Sequence, residues 1–437
     1  MLSEKDFMVK TLGECKVQSP LKLSTVRGDG IVDFVPEEKR IYYCIECDTK
    51  DASRRLSFEK AGPRKNIYFQ PDKITAAIMT SGGLCPGLNN VIRSLVLELY
   101  YRYGVENILG IRYGHKGLEP AFGYEPVKLT PDVVRKIRGD GGSLLGTSRG
   151  AVDKETMVNS LVHYGVSILF GVGGDGSQRG LHALYKIVEE KGLQMSIIGI
   201  PKTIDNDIPY VFKTFGLDTA VTIAAQALAC AHSEAESAYN GIGLVKVMGR
   251  DSGYIAAFSA IANNDVNFCL IPEVDFDCAG EGGFLDSLEK RLERRHHAVV
   301  VVAEGAGQKF FSSEMRQTDL SGNKRLKDIG VYLREEIKNY FSGKGIPIDL
   351  KYIDPSYMIR SVPTNANDAI YTDELARHAV HAAMAGKTDM MIGQWHNVLT
   401  HVPLSMVTQE TKRLDIEGEL WRNVLSATGQ PISMKKY

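Results

Sequence analysis

The sequence predicts an α/β protein of two lobes, each a mostly parallel sheet flanked by helices, with an N-terminal extension before them. From Ile74 onward, short apolar runs and glycine-rich turns alternate with amphipathic helical patterns, as in ITAAIMTSGGLCPGLNNVIRSLVLELY. This alternation is typical of βαβ units, which bring parallel strands side by side under covering helices. A chain of 437 residues is long enough for two such lobes with a cleft between them.

The overall charge argues against partners that need a strongly charged surface. The chain has 52 basic and 53 acidic residues, so its net charge is −1 and no global field favours nucleic acid or an anionic membrane. No apolar run approaches the roughly 20 residues that span a bilayer. Seven scattered cysteines favour a reducing compartment, and we expect a cytoplasmic protein. Cys44 and Cys47 form a C-x-x-C without a second pair, which favours structural thiols over a zinc site.

Residues 167–180, SILFGVGGDGSQRG, are the first candidate site, an apolar run followed by five glycines around Asp175. The backbone N–H groups of such a turn can bind phosphate. A carboxylate there would repel the anion unless a divalent cation stands between them, and Mg²⁺ typically uses one or two carboxylates plus phosphate oxygens. The turn therefore indicates a phosphotransferase. The alternative is a tight turn in which Asp175 caps the following helix.

Two further glycine-rich turns follow the same logic. SGGLCPG (81–87) offers backbone N–H groups at a helix start, which makes it a second candidate phosphate cradle. GGSLLGTSRG (141–150) carries Arg149, whose guanidinium group can span two phosphoryl groups. In α/β proteins ligands bind at the carboxyl ends of strands, where these turns are expected to lie.

The segment PKTIDND (201–207) is the candidate for proton transfer. Asp205 and Asp207 stand two residues apart, just after Lys202 and Thr203. A close pair of carboxylates beside a cation is typical of a general base with a supporting group. A solvated turn remains the alternative for TIDND taken alone.

Three more motifs place charged residues at predicted strand or loop ends. MGRDSG (248–253) and YMIR (357–360) each present an arginine, and two arginines that converge suit a second, distal phosphate. AEGAGQ (303–308) ends a VVVV strand with Glu304, an acceptor for sugar hydroxyls. Taken one at a time, a surface salt bridge is the alternative for each of these residues.

The order and spacing of the motifs resemble those of 6-phosphofructokinase, over about residues 74–400. The phrases NGIGLVKVMGRDSG and YIDPSYMIRSVP resemble the longer eukaryotic ATP-dependent branch of that family, which is related to the pyrophosphate-dependent enzymes. The resemblance implies a glycolytic reaction in which the γ-phosphoryl group of ATP passes, with Mg²⁺, to the 1-hydroxyl of fructose 6-phosphate. Lipid kinases, NAD kinases and NAD-dependent oxidoreductases share only a glycine loop with this chain, so we weigh them little.

The resemblance also implies a role for each matching residue. The residues expected to hold ATP are Gly83, Arg149, Gly150, Gly174, Asp175, Gly176 and Ser177. The residues expected to form the sugar-phosphate site are Thr203, Ile204, Asp205, Met248, Gly249, Arg250, Glu304, Tyr357, Met358, Ile359 and Arg360. Asp175 would hold Mg²⁺, and Asp205 would take the proton from the 1-hydroxyl with Asp207 in support. Lys202 and Arg149 would stabilise the transferred group.

Three positions differ from the pattern of the short bacterial members. Those proteins have an arginine from a neighbouring subunit at the position of Gly241, a histidine at Tyr357 and an arginine at Lys351. We therefore expect Lys351, Arg250 and Arg360 to neutralise the 6-phosphate. If the site is shared between subunits as in that family, the chain forms at least a homodimer, and we expect a homotetramer.

The choice of phosphoryl donor depends on two positions. Members that use pyrophosphate have an aspartate at Gly176, which obstructs the α-phosphate of a nucleotide, and a lysine at Lys202. This chain combines the glycine with the lysine. Steric exclusion weighs more than a lysine that helps either donor, so we expect ATP and keep a reversible, pyrophosphate-dependent enzyme as the alternative.

The same pattern predicts the domain boundaries. The extension covers 1–72 and a C-terminal tail covers 415–437. The nucleotide-binding lobe is expected at 73–216 plus about 361–414, and the sugar-phosphate lobe at 217–360.

Overall fold

A computed structural model describes residues 2–45, 56–148, 150, 152–311 and 326–436. The chain folds as two compact units. Unit 1 comprises Met1–Thr203, Ile208–Gly216 and Val362–Thr411. Unit 2 comprises Ile204–Asp207, Leu217–Ser361 and Lys412–Tyr437.

The strands and helices below are those of the described residues, in chain order. The strands are β1 (Lys10–Thr11), β2 (Val17–Gln18), β3 (Arg40–Tyr42), β4 (Ser57–Lys60), β5 (Asn66–Ile67), β6 (Thr75–Thr80), β7 (Asn107–Ile111), β8 (Val127–Lys128), β9 (Val166–Gly173), β10 (Ser196–Pro201), β11 (Gly241–Val247), β12 (Phe268–Leu270), β13 (His297–Ala303), β14 (Asp349–Ile353), β15 (Lys387–Thr388), β16 (Met390–Trp395) and β17 (Val398–Pro403). The α-helices are α1 (Leu88–Leu97), α2 (Pro131–Val134), α3 (Lys154–His163), α4 (Asp175–Glu190), α5 (Leu217–Glu236), α6 (Tyr254–Asn263), α7 (Phe284–Arg295), α8 (Ile329–Gly343), α9 (Ser356–Ser361), α10 (Ala366–Met384), α11 (Leu404–Val407) and α12 (Glu419–Thr428).

Unit 1 is built on a sheet whose described strands run in the order β3-β4-β17-β16-β10-β9-β6-β7-β8. The five central strands, β16 to β7, are parallel, and antiparallel strands flank them on both sides. Every residue of β10, and all but one of β9, is buried. Such continuous burial is characteristic of parallel strands covered on both faces. Helices α4 and α10 supply part of that cover by packing on β10.

Unit 2 contains a smaller sheet of described strands in the order β12-β13-β11-β14, and all of its pairs are parallel. The run HAVVVVA forms β13, whose residues are almost all buried. Its core includes Phe284 and Leu288 of α7 and Leu333 and Ile337 of α8. The predicted fold class is confirmed, since each unit has a mostly parallel central sheet with helices packed on it.

Strands near the N-terminus pair with strands near the end of unit 1. β4 runs antiparallel to β17, and β1 runs antiparallel to β15. Phe7 and Phe58 pack against each other with ring centroids 4.7 Å apart, and Trp395 stacks on Tyr43 at 5.4 Å. Part of residues 1–72, including Phe7 and Phe58, therefore packs into the core of unit 1.

None of the helices in the described residues combines the length and the hydrophobicity that crossing a bilayer requires.

A buried charge cluster joins β4 to β15 and β17. One carboxylate oxygen of Glu59 lies 2.8 Å from Nη2 of Arg64, 3.0 Å from Nζ of Lys387 and 3.0 Å from Nδ1 of His401. Burial alone would raise the pKa of Glu59, but the hydrogen bond from His401 and the charges of Lys387 and Arg64 hold that pKa well below its usual range. Glu59 therefore supplies the buried counter-charge of Arg64 and Lys387, which both also pair with the more exposed Glu37 at 3.0 Å.

We expect Glu59→Gln to lower the free energy of unfolding at pH 7 by about 3–5 kcal/mol, because buried cations lose their counter-charge. The lowered pKa means that the stability from Glu59 is fully present above its ordinary value of 4.5 and is lost as the pH falls below it. Urea unfolding at pH 7 and at pH 4 measures both effects. Glu14, which pairs with Lys16 on the surface, provides the control variant Glu14→Gln. Equal losses in the two variants would contradict this account.

Candidate active site

Three polar turns of unit 1 follow neighbouring strands of its sheet. β6, β9 and β10 are parallel, with Thr80 opposite Val172 and Gly173 opposite Pro201. Because these strands end at the same level, the turns that begin at 81, 174 and 202 lie along one edge of the sheet. The candidate donor motifs of this unit are thus brought together by strand pairing.

Lys202 ties these turns to one another. Its Nζ atom donates to the carbonyl oxygen of Gly83 at 2.7 Å, and its backbone N–H donates to Gly173 at 3.1 Å. Ser81 Oγ donates to Ser177 Oγ at 2.7 Å. Lys202 is only 5% exposed, so its ammonium group is largely withdrawn from water beside the two glycine turns.

Two glycines of the SILFGVGGDGSQRG stretch have different reasons for lacking a side chain. A Cβ atom at Gly173 would overlap the side chain of Ser177, so this position is restricted by close packing. A Cβ atom at Gly176 would meet nothing within 4 Å. The space at Gly176 is therefore open, whereas the backbone around Gly173 is not.

Asp175 is the first residue of α4, directly after β9. The N-cap of α4 is Gly174, which has no side chain to cap the helix, so the capping alternative for Asp175 does not describe this turn. Its carboxylate pairs with Arg179 one helical turn later, and the side chain of Asp175 is 15% exposed. A negative charge in the first turn of a helix is also stabilised by the helix dipole.

The donor atoms around Asp175 fit a metal that is completed by a ligand. The described residues contain no group of three or more His, Cys, Asp or Glu side chains that could hold a metal ion by themselves. One enclosed carboxylate beside backbone N–H groups matches Mg²⁺, which usually keeps phosphate oxygens and waters among its ligands.

The loop 141–150 approaches the same turns. Gly82 donates its backbone N–H to the carbonyl oxygen of Ser148 at 3.3 Å, and Gly150 follows two residues later. Arg149, the cation that the sequence predicts in this loop, lies outside the described residues.

The sequence reasoning missed two residues of this region. Gln178 donates through Nε2 to the carbonyl oxygens of Gly173 at 2.8 Å and Ile200 at 3.2 Å, which joins the ends of β9 and β10. His115 lies in the turn after β7 with its Nε2 shielded from solvent, and burial lowers its pKa to about 4. The turn RYGHKG follows a strand adjacent to β6, so the strand-end rule could have found His115. Nothing in the sequence distinguishes Gln178 from an ordinary helix residue.

Unit 2 repeats the arrangement with charged residues. Val247 of β11 lies opposite Ala303 of β13. The segment 248–250 and Glu304, which follow these strands, therefore start at the same level of the sheet. The backbone N–H of Glu304 donates to Val247 at 2.9 Å, which fixes that level. β14 is the other neighbour of β11, and the chain continues from it into α9.

Burial raises the pKa of two carboxyl groups of this region, Asp205 and Glu304. The pKa of Asp205 is well above its ordinary value because of burial first and then the charges of Asp207 and Glu304, with Arg250 opposing the shift. Burial also raises the pKa of Glu304, against the charges of Arg250, Lys246 and Arg360. The structure therefore places Asp205, Asp207, Arg250 and Glu304 within electrostatic reach of one another.

The YMIR motif lies on helix α9, not at a strand or loop end as the sequence analysis expected. Asp354 accepts the backbone N–H of Ser356 at 3.1 Å, and this local bond helps the chain turn into the helix. The helix buries Ile359 completely and leaves Tyr357 and Met358 exposed. The guanidinium carbon of Arg360 lies 4.9 Å from the ring centroid of Tyr357, and its Nε is shielded from solvent without a hydrogen bond to any described residue. An anion would supply that bond.

Gly241 and Lys351 are two of the positions that depart from the bacterial pattern, and the structure shows what each contacts. A Cβ atom at Gly241 would overlap the carbonyl oxygen of Ala235, so no side chain fits there. Lys351 lies on β14 with its Nζ 3.1 Å from Asp349. Lys246, which the sequence analysis did not single out, is buried and lies 2.8 Å from both Asp328 and Asp354.

The remaining predicted residues, Thr203 and Ile204, join the two units along the chain. The carbonyl oxygen of Thr203 accepts the hydroxyl of Thr214 at 2.6 Å, and the side chain of Ile204 is buried. The backbone of Thr203 is thus held by a hydrogen bond, and the side chain of Ile204 is held by packing.

Comparison with known proteins agrees with this arrangement. A family model described as Phosphofructokinase matches residues 75–383. The chain belongs to the phosphofructokinase family. The predicted resemblance is therefore confirmed, and with it the expectation that the chain is an enzyme.

Two relatives that match along most of this chain are named as ATP-dependent 6-phosphofructokinases. The chain is 49% identical over 438 residues to the ATP-dependent 6-phosphofructokinase of Borreliella burgdorferi, covering 98% of both proteins. It is 45% identical to ATP-dependent 6-phosphofructokinase 7 of Arabidopsis thaliana, covering 91% of this chain and 81% of the relative. A crystal structure of a pyrophosphate-dependent phosphofructokinase from Marinobacter aquaeolei matches with a TM-score of 0.67 and 20% identity, over 82% of this chain and 92% of that one. At that identity the likeness shows the fold alone.

The open space at Gly176 makes the donor prediction testable without disturbing the fold. We expect Gly176→Asp to raise KM for ATP by about tenfold or more, since a charge facing a phosphate costs on the order of 1 kcal/mol or more. The control Gly176→Ala adds only a Cβ atom, which meets nothing within 4 Å, and should keep KM near the wild-type value. Unchanged ATP kinetics in the aspartate variant would contradict the assignment of this space to a nucleotide.

Proposed function

We propose that the chain transfers the γ-phosphoryl group of ATP to the 1-hydroxyl of fructose 6-phosphate, giving fructose 1,6-bisphosphate and ADP. The observation that carries the proposal is the environment of Asp205, which lies three residues after Lys202. Burial and the charges of Asp207 and Glu304 raise its pKa. A raised pKa makes a carboxylate a stronger base, and a weakly acidic hydroxyl needs one. The names of the relatives supply the substrates of the proposal.

On the donor side, the turns of unit 1 bind the polyphosphate. Gly83 accepts a hydrogen bond from the ammonium group of Lys202, and Ser177, in the adjacent turn that also contains Gly174, accepts one from Ser81. Asp175 would hold Mg²⁺, which neutralises charge on the phosphates when bound. Arg149 is assigned to the same donor by the family resemblance.

On the acceptor side, unit 2 supplies cations for the sugar phosphate. Arg250 and Arg360 both act on Glu304, so they share one neighbourhood. They bind the 6-phosphate, and Glu304 accepts a hydrogen bond from a sugar hydroxyl. Lys351 is the third cation proposed to neutralise the 6-phosphate, and it acts at longer range than Arg250 and Arg360.

The reaction is a single displacement at phosphorus. As the 1-hydroxyl oxygen forms its bond to the γ-phosphorus, its proton passes to a carboxylate oxygen of Asp205. The bond from the γ-phosphorus to the β,γ-bridging oxygen breaks, and the electron pair leaves with ADP. Lys202 stabilises the charge on the transferred group, and positioning supplies most of the catalysis.

The deciding experiment is product formation from fructose 6-phosphate and Mg²⁺, with ATP and pyrophosphate in parallel reactions. Turnover with ATP and not pyrophosphate supports the proposal. Turnover with pyrophosphate alone would replace it by the reversible enzyme, in which Lys202 rather than Gly176 decides the donor. The homotetramer and the cytoplasmic location stay predictions, and sedimentation velocity measures the first.

Substitution of Asp205 separates its chemical role from its effect on stability. We expect Asp205→Asn to lower kcat by about 10²–10⁴-fold, the usual contribution of a general base. The same change should raise the melting temperature at pH 7, because it removes a buried negative charge that Asp207 and Glu304 repel.

The sign of the pH dependence follows from the raised pKa of Asp205. The cost of its charge is fully present above the folded pKa and vanishes as the pH falls toward 3.8, so the stability gained by Asp205→Asn should shrink in acid. Asp265, an exposed carboxylate of the same unit, provides the control Asp265→Asn. Full activity in the Asp205 variant would end the proposed mechanism.

A further inference from the structure

The segment 412–414 is hydrogen-bonded to the loop that carries the carboxylate pair Asp205 and Asp207. The backbone N–H of Lys412 donates to the carbonyl oxygen of Asp207 at 2.9 Å. The backbone N–H of Leu414 donates to Glu273 at 2.8 Å, and the hydroxyl of Tyr254 donates to the carbonyl oxygen of Arg413 at 3.0 Å. Three successive residues are thus held by fixed partners within unit 2.

Glu273 also connects this segment to the loop that carries Arg250. The carboxylate oxygen that accepts from Leu414 accepts the backbone N–H of Gly253 at 3.0 Å. Ser252, the residue before, donates its hydroxyl to the carbonyl oxygen of Asp205. Both residues of the carboxylate pair are therefore attached by backbone bonds to the structure around Lys412.

The ammonium group of Lys412 has an unusual environment. It lies over the ring of Tyr254, 5.0 Å from the centroid. Burial lowers its pKa to about 7, and the charge of Asp207 acts in the opposite direction, so the positive charge is present on the acid side of neutrality and is lost at higher pH. The other titratable groups around it are Glu273 and Asp415, which act on Tyr254, and Arg413, which acts on Glu273.

A cation beside one member of a carboxylate pair separates the two protonation states. Of two neighbouring carboxylates, the member that has a nearby positive charge loses its proton first, and once both are ionised the other member is the more basic. Asp207 is attracted by Lys412, whereas Asp205 is repelled by Asp207 and Glu304. Unequal surroundings of this kind decide which member of an ionised pair takes up a proton first.

We infer that Lys412 is a positioning residue for the proposed reaction, whose ammonium group keeps Asp207 ionised and so leaves Asp205 as the group that accepts the substrate proton. The inference rests on the proposed function. It adds a residue from the far C-terminal part of the chain to a motif that the sequence contains at 201–207.

The test compares Lys412→Met with Lys412→Arg in the full-length protein, using ATP, Mg²⁺ and fructose 6-phosphate from pH 5 to 9. For the methionine variant we expect kcat to fall by about tenfold, less than the roughly 100-fold or more that loss of the base itself costs. Without the cation the pair keeps its proton to higher pH, so the acid limb of the kcat profile should move up by about 1 pH unit. KM for fructose 6-phosphate should stay within about threefold, since Lys412 acts on the base and not on the bound sugar.

The arginine variant and a neighbouring control separate charge from packing. Lys412→Arg keeps the positive charge and should restore the wild-type acid limb and most of kcat. Arg413→Met removes the adjacent charge but keeps the carbonyl group that Tyr254 uses, so its profile should match the wild type. If the methionine variant does not fold, Lys412→Gln replaces it, because glutamine keeps a polar side chain of similar length.

Two results would overturn the inference. One is a wild-type acid limb in the folded neutral variant, and the other is an arginine variant that is folded but as impaired as the neutral one. Failure of the wild-type protein itself to turn over would instead count against the proposed function. The two failures are therefore distinguishable in one set of assays.

Discussion

The hydrogen bond from Lys202 to Gly83 is the interaction on which the donor side depends. It places a cation, 5% exposed, against the turn that follows β6, although Lys202 itself follows β10. β9 lies between these two strands, so the bond spans the turn that contains Asp175. A buried cation is costly unless polar groups surround it, and the glycine turns provide those groups.

A second hydrogen bond, between Ser81 and Ser177, explains why the glycine turns are so closely packed. Gly173 must lack a side chain for Ser177 and Ser81 to meet, and their hydroxyl groups form a hydrogen bond in the space that a Cβ atom would occupy. Gly176 faces open space instead. Close packing on one side of Asp175 and empty volume on the other are what a backbone cradle for a phosphate requires.

Unit 2 shows the energetic cost of the acceptor side. Asp205, Asp207 and Glu304 raise the free energy of the folded state because their charges repel one another in a buried region. Arg250 opposes that repulsion and Lys412 attracts Asp207. By contrast, Glu59 in unit 1 is paired with Arg64, Lys387 and His401, which lower its pKa, so its charge stabilises the fold. Unfavourable like-charge pairs occur where chemistry is proposed, and favourable ion pairs occur where the side chains only stabilise the fold.

The sequence by itself determined the fold class, the family and the local turns. Apolar runs that end in glycines are a local signal, and so are the neighbouring residues of PKTIDND or SGGLCPG. It also predicted that YMIR ends a strand or loop, which was wrong because the chain turns into α9 after Asp354. That turn depends on a side-chain bond that periodicity does not report.

Only the tertiary structure decided which charges act together. No sequence pattern assigns a role to Lys246, Gln178 or Lys412, and each acquires its role from a partner distant in the chain or on another strand. Burial is likewise a property of the packed fold, and it moves the pKa of Asp205 up and that of Lys412 down. Local pattern determines where turns occur, whereas strand pairing and desolvation determine which turns meet and which of their groups remain charged.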